Sequence, residues 1–438
     1  MRNFDVMKDE NRIVITGVGP LSAGGSGKDE VWKSISERRT GLVKKTYEID
    51  GDNIGEFYVH EIKNFSINDY GINQQVLGEI KSWKQEDEII DLFYFLAVIK
   101  MAIDDSGLKI DEENKFRTGL ILAHENMGLD HFYMKVIDEL SFAGKADRPK
   151  TKKEFLEEFY KKFNRTGYEL QTFMSLHHIA KIFDIHGYSL FLNNACASGL
   201  FAFEAAADTI RSGKCERMII AAVDKCSLFK QIWFQEVNML AKDGRIKPFV
   251  SDRDGFTIGE GGAAFMLEKL GDAIKRKAHI YAKYLGGSFV LEGWKVTYPD
   301  VSNNLYESMI RDALTRSGIK PSDIGLIIPH GVGTNITDRY EAKALTQVFG
   351  KKTKRPIISA FKPYIGHTLG STAILETAIM LLGLKNGEIP QTLNCENIDD
   401  ALGINVLRES REAGDIKIAM KTACGFAGYD GACVFKNM

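Results

Sequence analysis

The sequence lacks several features that identify common classes of protein. It has six cysteines in 438 residues, and because no two are spaced as C-x-x-C, neither a zinc site nor a disulfide framework is indicated. No apolar run is long enough to cross a membrane, since the most apolar helical stretch, residues 373–384, is short and contains Glu376. Residues 1–11 are charged and lack the apolar core of a signal peptide. We therefore expect a cytoplasmic protein with reduced thiols, no metal and no membrane span.

An excess of charge of either sign is also missing. The formal net charge is −2 at pH 7, so the chain has no global field of the kind that attracts nucleic acid or an anionic membrane. An acidic partner would have to meet a local basic patch. Hydrophobic residues make up 44% of the chain, which is enough for a large core spread over two or three domains.

Apolar segments alternate with helical ones along the chain, which is typical of α/β layers. Short apolar runs predict strands in two sets of five, with a break near Gly271. The first set covers residues 12–18, 118–123, 189–193, 217–223 and 263–268, and the second covers residues 279–285, 325–330, 356–360, 416–422 and 432–436. The sequence itself shows no repeat. The break divides the chain into halves of residues 1–270 and 271–438.

Gly17 and Gly19 begin a run that resembles part of a dinucleotide-binding loop. The third glycine of that motif is Ser22 here, and Pro20 stands where the helix should begin. No acidic residue ends a second strand about 20 residues further on, as the motif requires. These departures exclude a dinucleotide site at this turn.

Cys196 stands between an apolar strand and the start of a helix. Residues 188–192 predict the strand, and an Ala-rich helix continues to about residue 212, where Gly213 can cap it. A thiol at a helix N-terminus faces free N–H groups and the positive end of the dipole, and both favour the reactive thiolate. Taken alone, Cys196 is better interpreted as an inert buried residue, because most free cysteines are.

Two histidines further along the chain change that interpretation. His330 follows the apolar run 324–328 and begins a Gly-rich turn, and His367 precedes a helical run over residues 371–384. Each histidine alone would be an ordinary structural residue. Together with Cys196 they provide a thiol nucleophile and neighbouring donors for an oxyanion, which are the groups that catalysis at sulfur needs.

Several motifs, in the same order, resemble those of the β-ketoacyl-[acyl carrier protein] synthases, the ketosynthase family of fatty-acid and polyketide assembly. They are an opening strand and helix at 12–32, the turn at 194–199, a Lys-Pro-Phe segment with Asp-Arg-Asp-Gly-Phe at 247–261, the two histidine motifs, and a Cys-Gly-Phe-Ala-Gly-Tyr-Asp loop at 424–430. The resemblance covers residues 12–435. It implies the thiolase fold, an α/β arrangement of two related halves stacked as α-β-α-β-α with the site between them.

The resemblance also implies a role for each site residue. Cys196 takes an acyl chain from a carrier-bound thioester, and the backbone N–H groups of Cys196 and Cys424 form the oxyanion hole. His330 and His367 donate hydrogen bonds to the thioester oxygen of a bound malonyl group, so that loss of CO₂ leaves a stabilised enolate. The carbanion then attacks the acyl group on Cys196 in a decarboxylative Claisen condensation. Decarboxylation drives the reaction, so no metal or organic cofactor is expected beyond the phosphopantetheine of an acyl carrier protein.

Four buried polar residues are assigned supporting roles. Lys362 and Glu376 match a polar pair behind the family's site, and we expect an ion pair that orients His367. Asp338 and Glu341 are expected to bond the loop that follows residues 324–328. None of these four is expected to take part in the chemistry.

Two positions depart from the family pattern. Thr334 is expected to hydrogen-bond the pantetheine arm, but a second threonine expected two residues earlier is Val332. Cys424 stands where the family often has a gating phenylalanine, so the acyl pocket is expected to be open there, or filled by Phe426 or Tyr429. Tolerance for bulky, rigid or polyunsaturated chains follows, which favours a specialised polyketide or polyene pathway over fatty-acid synthesis.

Two kinds of partner are expected from the resemblance. Lys242, Arg245 and Lys247 lie where the family presents basic residues near the tunnel mouth, so we expect them to help dock an acidic acyl carrier protein. The chain is also expected to form a homodimer, or a heterodimer with a ketosynthase-like chain-length factor.

Three alternatives stay open at this point. A priming or decarboxylase variant of the fold would typically replace the nucleophile. A thiolase using CoA would carry a second catalytic cysteine, for which Cys424 is a candidate by position alone. A chain-length factor shapes the pocket without catalysing and lacks the active cysteine. The presence of Cys196, His330 and His367 together favours the condensing enzyme.

Two segments look inserted. Residues 147–164 are dense in Lys, Glu, Phe and Tyr, a composition typical of a helix with a solvated face and an aromatic underside. Residues 44–91 are mixed in pattern and predict no element. We place both segments among the dimer and cap contacts that this half carries in the family.

Overall fold

The described part of the chain carries most of the predicted elements. A computed structural model describes residues 12–49, 51–81, 90–125, 172–351 and 356–438, together with a few residues between 127 and 157. The predicted insertion at 147–164 lies mostly outside the described residues, which include only 151–154 and 157 of it. Within the described ranges, no helix is both long enough and apolar enough to cross a membrane.

Strands and helices alternate along the described chain. The strands are β1 (Ile13–Ser22), β2 (Gly25–Ser26), β3 (Leu42–Ile49), β4 (Asp52–His60), β5 (Thr118–Ala123), β6 (Ser189–Leu192), β7 (Arg217–Asp224), β8 (Ile258–Gly259), β9 (Gly261–Lys269), β10 (Ala282–Leu291), β11 (Leu326–Ile328), β12 (Ile357–Ile358), β13 (Glu388–Ile389), β14 (Arg411–Glu412), β15 (Ile418–Cys424) and β16 (Tyr429–Asn437). The α-helices are α1 (Gly27–Ser36), α2 (Gln74–Lys81), α3 (Ile90–Ser106), α4 (Thr172–Phe183), α5 (Ser198–Arg211), α6 (Leu228–Glu236), α7 (Leu270–Lys275), α8 (Leu305–Ser317), α9 (Asn335–Phe349), α10 (Lys362–Ile365) and α11 (Thr372–Asn386).

The main sheet has eleven strands, which are two sets of five with the same topology and the short β2, paired with β1. Its order is β6-β5-β7-β9-β1 followed by β10-β16-β15-β11-β12. If the strands of each set are numbered along the chain, both sets have the order 3-2-4-5-1, with parallel and antiparallel pairs at the same places. The sets join where β1 pairs antiparallel with β10 through three residue pairs, beginning at Ile13 and Tyr284. The repeat is therefore one of topology, although the sequence shows none.

All ten strands predicted from apolar runs are present in this sheet. The strand predicted at 118–123 has the observed bounds of β5, whereas that predicted at 325–330 is limited to the three residues of β11. No prediction covered the smaller sheet, in which β3 and β4 form a hairpin and β4 pairs in parallel with β8. Strands β3 and β4 fall mostly within residues 44–91, where only part of one face is buried and the apolar alternation is weak.

Helices form three layers around the two halves of the sheet. Helix α3 packs on β1, β7 and β9, and α8 packs on β10 and β16. Between the halves lie α5 and α11, which contact strands of both sets. Every residue of α11 from Thr372 to Leu384 is buried, as expected for a helix enclosed on all sides. This is the five-layered α-β-α-β-α arrangement that the resemblance implied.

The two central helices approach each other closely at Gly199. A Cβ atom at that position would lie 2.8 Å from both the backbone nitrogen and the Cβ of Ile374. The first turn of α5 is therefore packed directly against the first turns of α11. This contact fixes the start of α5 relative to the start of α11. Cys196 and His367 lie in the loops that lead into these two helices.

Candidate active site

The predicted catalytic residues come together at one small cavity. Cys196 follows β6, His330 follows β11, and Cys424 ends β15, so residues at the ends of three strands line one cavity. The cavity is lined by Cys196, Met239, Phe256, Val296, Thr297, Tyr298, Pro299, His330, Val332, Thr334, Thr337, His367, Cys424, Gly425, Phe426 and Gly428. Its free volume is about 30 Å³, which is room for a water molecule. The candidate catalytic groups are thus assembled around one narrow cavity.

The nucleophile turn is held in a strained backbone conformation. Ala195, directly before Cys196, has a φ of 48°, a value that residues with a Cβ rarely adopt. The Ser198 hydroxyl stabilises the turn, because it accepts from the N–H of Asn194 at 2.8 Å and donates to the carbonyl of Ala195 at 2.6 Å. Cys196 thus stands immediately before α5, as predicted, and only 5% of its surface is exposed.

The expectation that the helix N-terminus makes Cys196 a thiolate is not supported. Burial raises the pKa of the Cys196 thiol to about 12, and the charge of Glu125 raises it further. The Lys362 ammonium and the backbone N–H of Phe426 lower it, but they do not offset the burial. At neutral pH the residue is a thiol, so a neighbouring group has to accept its proton when the sulfur attacks.

The two histidines form the other wall of the cavity. Their ring centroids are 5.5 Å apart and the rings are nearly perpendicular, at 82°. Burial lowers the pKa of both imidazoles well below the usual value, and the ammonium groups of Lys362 and Lys421 lower both further. Both rings are therefore neutral at pH 7. A neutral imidazole can donate through one nitrogen or accept a proton at the other.

His367 is oriented from the start of α11. Its Nδ1 lies 2.8 Å from the hydroxyl of Thr372, and its backbone N–H donates to the carbonyl of Thr257. The ring of Phe256 packs against the imidazole at a centroid distance of 5.0 Å. When the Thr372 hydroxyl donates to Nδ1, the hydrogen of the neutral ring is on Nε2, where it can be donated to a substrate. Thr372 was not predicted, although a hydroxyl five residues after a catalytic histidine was a visible signal.

His330 is held through its backbone. The Glu341 carboxylate accepts the N–H of His330 at 2.7 Å and that of Gly331 at 2.8 Å. Asp338 accepts the N–H groups of Phe249 and Gly333 in the same way. Both carboxylates therefore bond the loop that presents His330, as predicted.

A buried charged cluster lies behind the histidines. Lys362 is 3.1 and 3.3 Å from the two carboxylate oxygens of Glu376, which is the predicted ion pair. However, the Lys362 ammonium donates to the backbone carbonyl of His330 and not to the His367 ring. A second lysine, Lys421, lies 2.7 Å from Glu376. It was missed, although a lysine in an apolar strand predicted at 416–422 was a signal that a buried charge needs a partner.

The C-terminal loop passes directly over the nucleophile. A Cβ on Gly425 would lie 3.4 Å from the backbone nitrogen of Cys196 and 2.7 Å from the carbonyl oxygen of Tyr429, so only glycine fits here. This approach brings the backbone N–H of Phe426 to the Cys196 sulfur. Phe426 thus adds a backbone donor that the sequence did not indicate. The backbone N–H groups of Cys196 and Cys424 stay predicted members of the oxyanion hole.

Cys424 and Phe426 line the same cavity. Phe426 packs on Trp233 and Phe234, with centroid distances of 5.7 Å to each. Tyr429 packs against Phe201 and does not line the cavity. The gate at Cys424 and Phe426 stays a prediction.

Thr334 has the environment of an unused binding group. Its Oγ1 is buried, lines the cavity and has no hydrogen-bond partner among the described residues. The neighbouring Val332 packs in an apolar cluster, so it makes no polar contact with a ligand. A buried hydroxyl without a partner is costly, and a bound polar group would satisfy it.

The three predicted docking residues are not equally available. Lys247 is mostly buried and pairs with Asp243 at 3.1 Å and Asp252 at 3.7 Å. Arg245 is exposed but also pairs with Asp243. Lys242 is exposed. The cluster is therefore more nearly neutral than the sequence suggested, because acidic side chains compensate two of its three cations.

The described residues include no group of histidine, cysteine, aspartate and glutamate side chains arranged to hold a metal ion.

Residues 10–273 match the family model of the beta-ketoacyl synthase N-terminal domain, and residues 281–396 match that of the C-terminal domain. A 3-oxoacyl-[acyl-carrier-protein] synthase 2 of Coxiella burnetii is 26% identical over 436 residues, covering 98% of this chain and 99% of the relative. Nodulation protein E of Rhizobium sp. (strain N33) is also 26% identical, covering 98% and 100%. The solved ishigamide ketosynthase/chain length factor superimposes with a TM-score of 0.83 at 24% identity, covering 98% and 99%, which supports the thiolase-like fold.

Because two family models together match most of the chain, and Cys196, His330 and His367 line one cavity, the chain belongs to the beta-ketoacyl synthase family of condensing enzymes.

Proposed function

We propose that the chain joins an acyl group held on Cys196 to malonyl-acyl carrier protein by decarboxylative Claisen condensation. The observation that carries this proposal is that the Cys196 thiol, on the turn before α5, and two neutral imidazoles line the same cavity. The relatives named 3-oxoacyl-[acyl-carrier-protein] synthase 2 support the same reaction class. A non-catalytic chain-length factor would not need this set of groups.

In the first half-reaction, the Cys196 sulfur attacks the carbonyl carbon of a carrier-bound acyl thioester. The thiol proton passes to a neutral imidazole, since the raised pKa of Cys196 leaves few thiolates at neutral pH. The backbone N–H groups of Cys196 and Cys424 stabilise the oxyanion. The bond from carbonyl carbon to pantetheine sulfur then breaks, and the leaving thiolate receives the proton.

In the second half-reaction, the malonyl thioester replaces the released carrier. Its carbon–carbon bond to the carboxylate breaks, CO₂ leaves, and the electron pair is held as an enolate. The Nε2–H groups of His330 and His367 donate to the enolate oxygen. The enolate carbon attacks the acyl carbonyl on Cys196, the carbon–sulfur bond breaks, and the Cys196 thiolate leaves and takes up one proton from the solvent. Only the carrier's phosphopantetheine is needed as a cofactor, and its arm is held by Thr334.

The chain acts in a dimer, either with itself or with a chain-length factor, and in a specialised polyketide or polyene pathway in preference to fatty-acid synthesis. We also propose the division into halves at residues 270 and 271, which the repeated strand order supports. The first half supplies Cys196 and the second supplies both histidines.

Incubation of the purified chain with acyl- and malonyl-acyl carrier protein tests the proposed reaction. The expected products are a β-ketoacyl carrier protein, two carbons longer, and one CO₂ for each chain extended. The mixture is run with and without a candidate chain-length factor, since a heterodimer would show activity only with the partner. Release of CO₂ without any new carbon–carbon bond in either mixture would instead indicate a decarboxylase.

Reversal of the exposed cations is expected to weaken carrier docking. Lys242→Glu and Arg245→Glu should each raise KM for the carrier-bound substrate several-fold and flatten its salt dependence, with kcat little changed, because rim charges act mainly on association. Steady-state kinetics at three ionic strengths measure this. Lys320→Glu is the matched control, since Lys320 precedes β11 at the end opposite to His330. A KM equal to wild type in both variants would make these residues plain surface charges.

Cys424→Phe is expected to restrict the acyl pocket. A phenylalanine would compete with Phe426 for space beside the nucleophile, and overpacking there should hinder long or rigid chains more than acetyl or butyryl. The measurement is kcat/KM for a series of acyl carrier proteins, with Cys424→Ala as the control that removes the thiol without adding bulk. A loss of equal size for every chain length would show that position 424 does not gate the pocket.

A further inference from the structure

Lys421 is a fully buried charged residue that the proposed mechanism does not use. It lies in β15, and its side chain is fully buried. Its ammonium is 2.7 Å from Glu376, 2.9 Å from the carbonyl of Pro329 and 2.8 Å from the carbonyl of Thr422. Three acceptors thus satisfy the three N–H donors that a lysine has.

Lys421 belongs to a buried cluster of two lysines and two glutamates. Glu376 contacts Lys362 through both carboxylate oxygens, and Glu341 is the second carboxylate that acts on Lys421. The charges balance, but burying four charged groups costs desolvation that an apolar cluster of the same volume would avoid. Side chains kept at such a cost are expected to serve another purpose.

The two lysines donate hydrogen bonds to the carbonyl groups of adjacent residues. Lys421 bonds the carbonyl of Pro329, and Lys362 bonds the carbonyl of His330. The opposite side of this segment is held by Glu341, which accepts the N–H of His330. The backbone that carries the imidazole is therefore fixed by two cations and one anion, all buried.

We propose that Lys421 is a positioning residue of the condensation reaction, which fixes the backbone before His330 and supplies a positive charge behind both imidazoles. This inference rests on the proposed function, because the groups that it positions are those that stabilise the enolate. Lys421 itself does not touch the substrate and is not a catalytic residue.

The electrostatic part of this role has a definite sign. The titratable groups facing Lys421 are Glu376, Lys362, Glu341 and the two histidines. Lys421 is among the causes that lower the pKa of both imidazoles. Removing its charge should therefore let the pKa values of both imidazoles rise toward the usual value. As the pH is lowered, both rings should then become protonated at a higher pH than in wild type.

Two variants separate the hydrogen bonds from the charge. Lys421→Gln keeps donors for the carbonyl groups and removes the charge, whereas Lys421→Met removes both. Lys283→Gln is the matched control, because Lys283 is a buried lysine on β10, outside the site. Circular dichroism identifies folded variants, and if Lys421→Met does not fold, Lys421→Gln decides.

We expect CO₂ release from malonyl-acyl carrier protein to fall about 10- to 100-fold in Lys421→Met, as is typical when a supporting contact is lost. The rate of self-acylation at pH 8 should stay within a few-fold of wild type. In the pH profile of that rate, the decline on the acid side should begin at a higher pH in Lys421→Gln and Lys421→Met than in wild type. Methylammonium should partly restore CO₂ release in Lys421→Ala by occupying the vacated place. A folded Lys421→Gln with wild-type CO₂ release and an unmoved decline on the acid side would overturn the inference. Failure of the proposed function is separate, because it would show as an inactive wild-type protein.

Discussion

Cys196→Ala is expected to abolish the covalent acyl adduct and to reduce condensation by roughly 10⁴-fold or more, as removal of a nucleophile typically does. Cys424 is the rival thiol, since it lines the same cavity. Its environment is less suitable, because burial and the nearby Asp430 carboxyl raise its pKa well above the usual value. The Lys362 ammonium and the Phe426 N–H lower the pKa of the Cys196 thiol and so partly oppose the effect of burial. Cys196 also lies on the strained turn that presents its sulfur.

Intact-mass spectrometry after incubation with acyl-acyl carrier protein provides the measurement. Wild-type protein and Cys424→Ala should each gain one acyl mass, whereas Cys196→Ala should gain none. Peptide mapping of the wild-type adduct should place it on Cys196. An adduct that persists in Cys196→Ala and is lost in Cys424→Ala would show that Cys424 is the nucleophile. That result would favour the thiolase alternative.

His330→Ala and His367→Ala are each expected to reduce CO₂ release by ~10²–10³, the usual cost of losing one donor to an oxyanion. Self-acylation should survive in either single variant, because the remaining neutral imidazole can still accept the Cys196 proton. In the double variant neither proton acceptor is left, so self-acylation should also fail at neutral pH. The two half-reactions therefore depend on the same histidines in different ways.

Radiolabelled malonyl-acyl carrier protein measures CO₂ release, and the acyl adduct measures self-acylation in the same samples. His177→Ala is a suitable control, since His177 lies on α4 and outside the cavity. If acylation falls as far as CO₂ release in a single variant, the proposed division of labour is wrong. If the double variant acylates normally, some other group takes the thiol proton.

Local sequence predicted the strands of the main sheet better than the interior of the site. Strands buried on both faces are nearly continuous apolar runs, so the sequence alone predicts a strand at Thr118–Ala123. The motifs around His330 and His367 were also visible, because glycines and a strand end surround them. The contact between Lys421 and Glu376 joins residues 45 positions apart, and no local pattern shows where a lysine's ammonium will point.

The thiolate expectation failed for a related reason. A helix N-terminus is a local feature, and the sequence around Cys196 predicts it correctly. Burial of that sulfur depends on the loop at 424–428, which arrives from the end of the chain and packs Gly425 against the Cys196 backbone. Desolvation by a distant segment outweighs the helix terminus, and this balance could not be seen without the fold.

The burial of Cys196 has a consequence for inhibition. Because only 5% of Cys196 is exposed, even a small alkylating reagent has to enter the cavity beside Phe426 before it reaches a sulfur that is largely protonated. General thiol reagents should therefore label this cysteine slowly. A useful warhead would arrive on a pantetheine-like stem that bonds Thr334, so that selectivity comes from entry into the site and not from the reactivity of the electrophile.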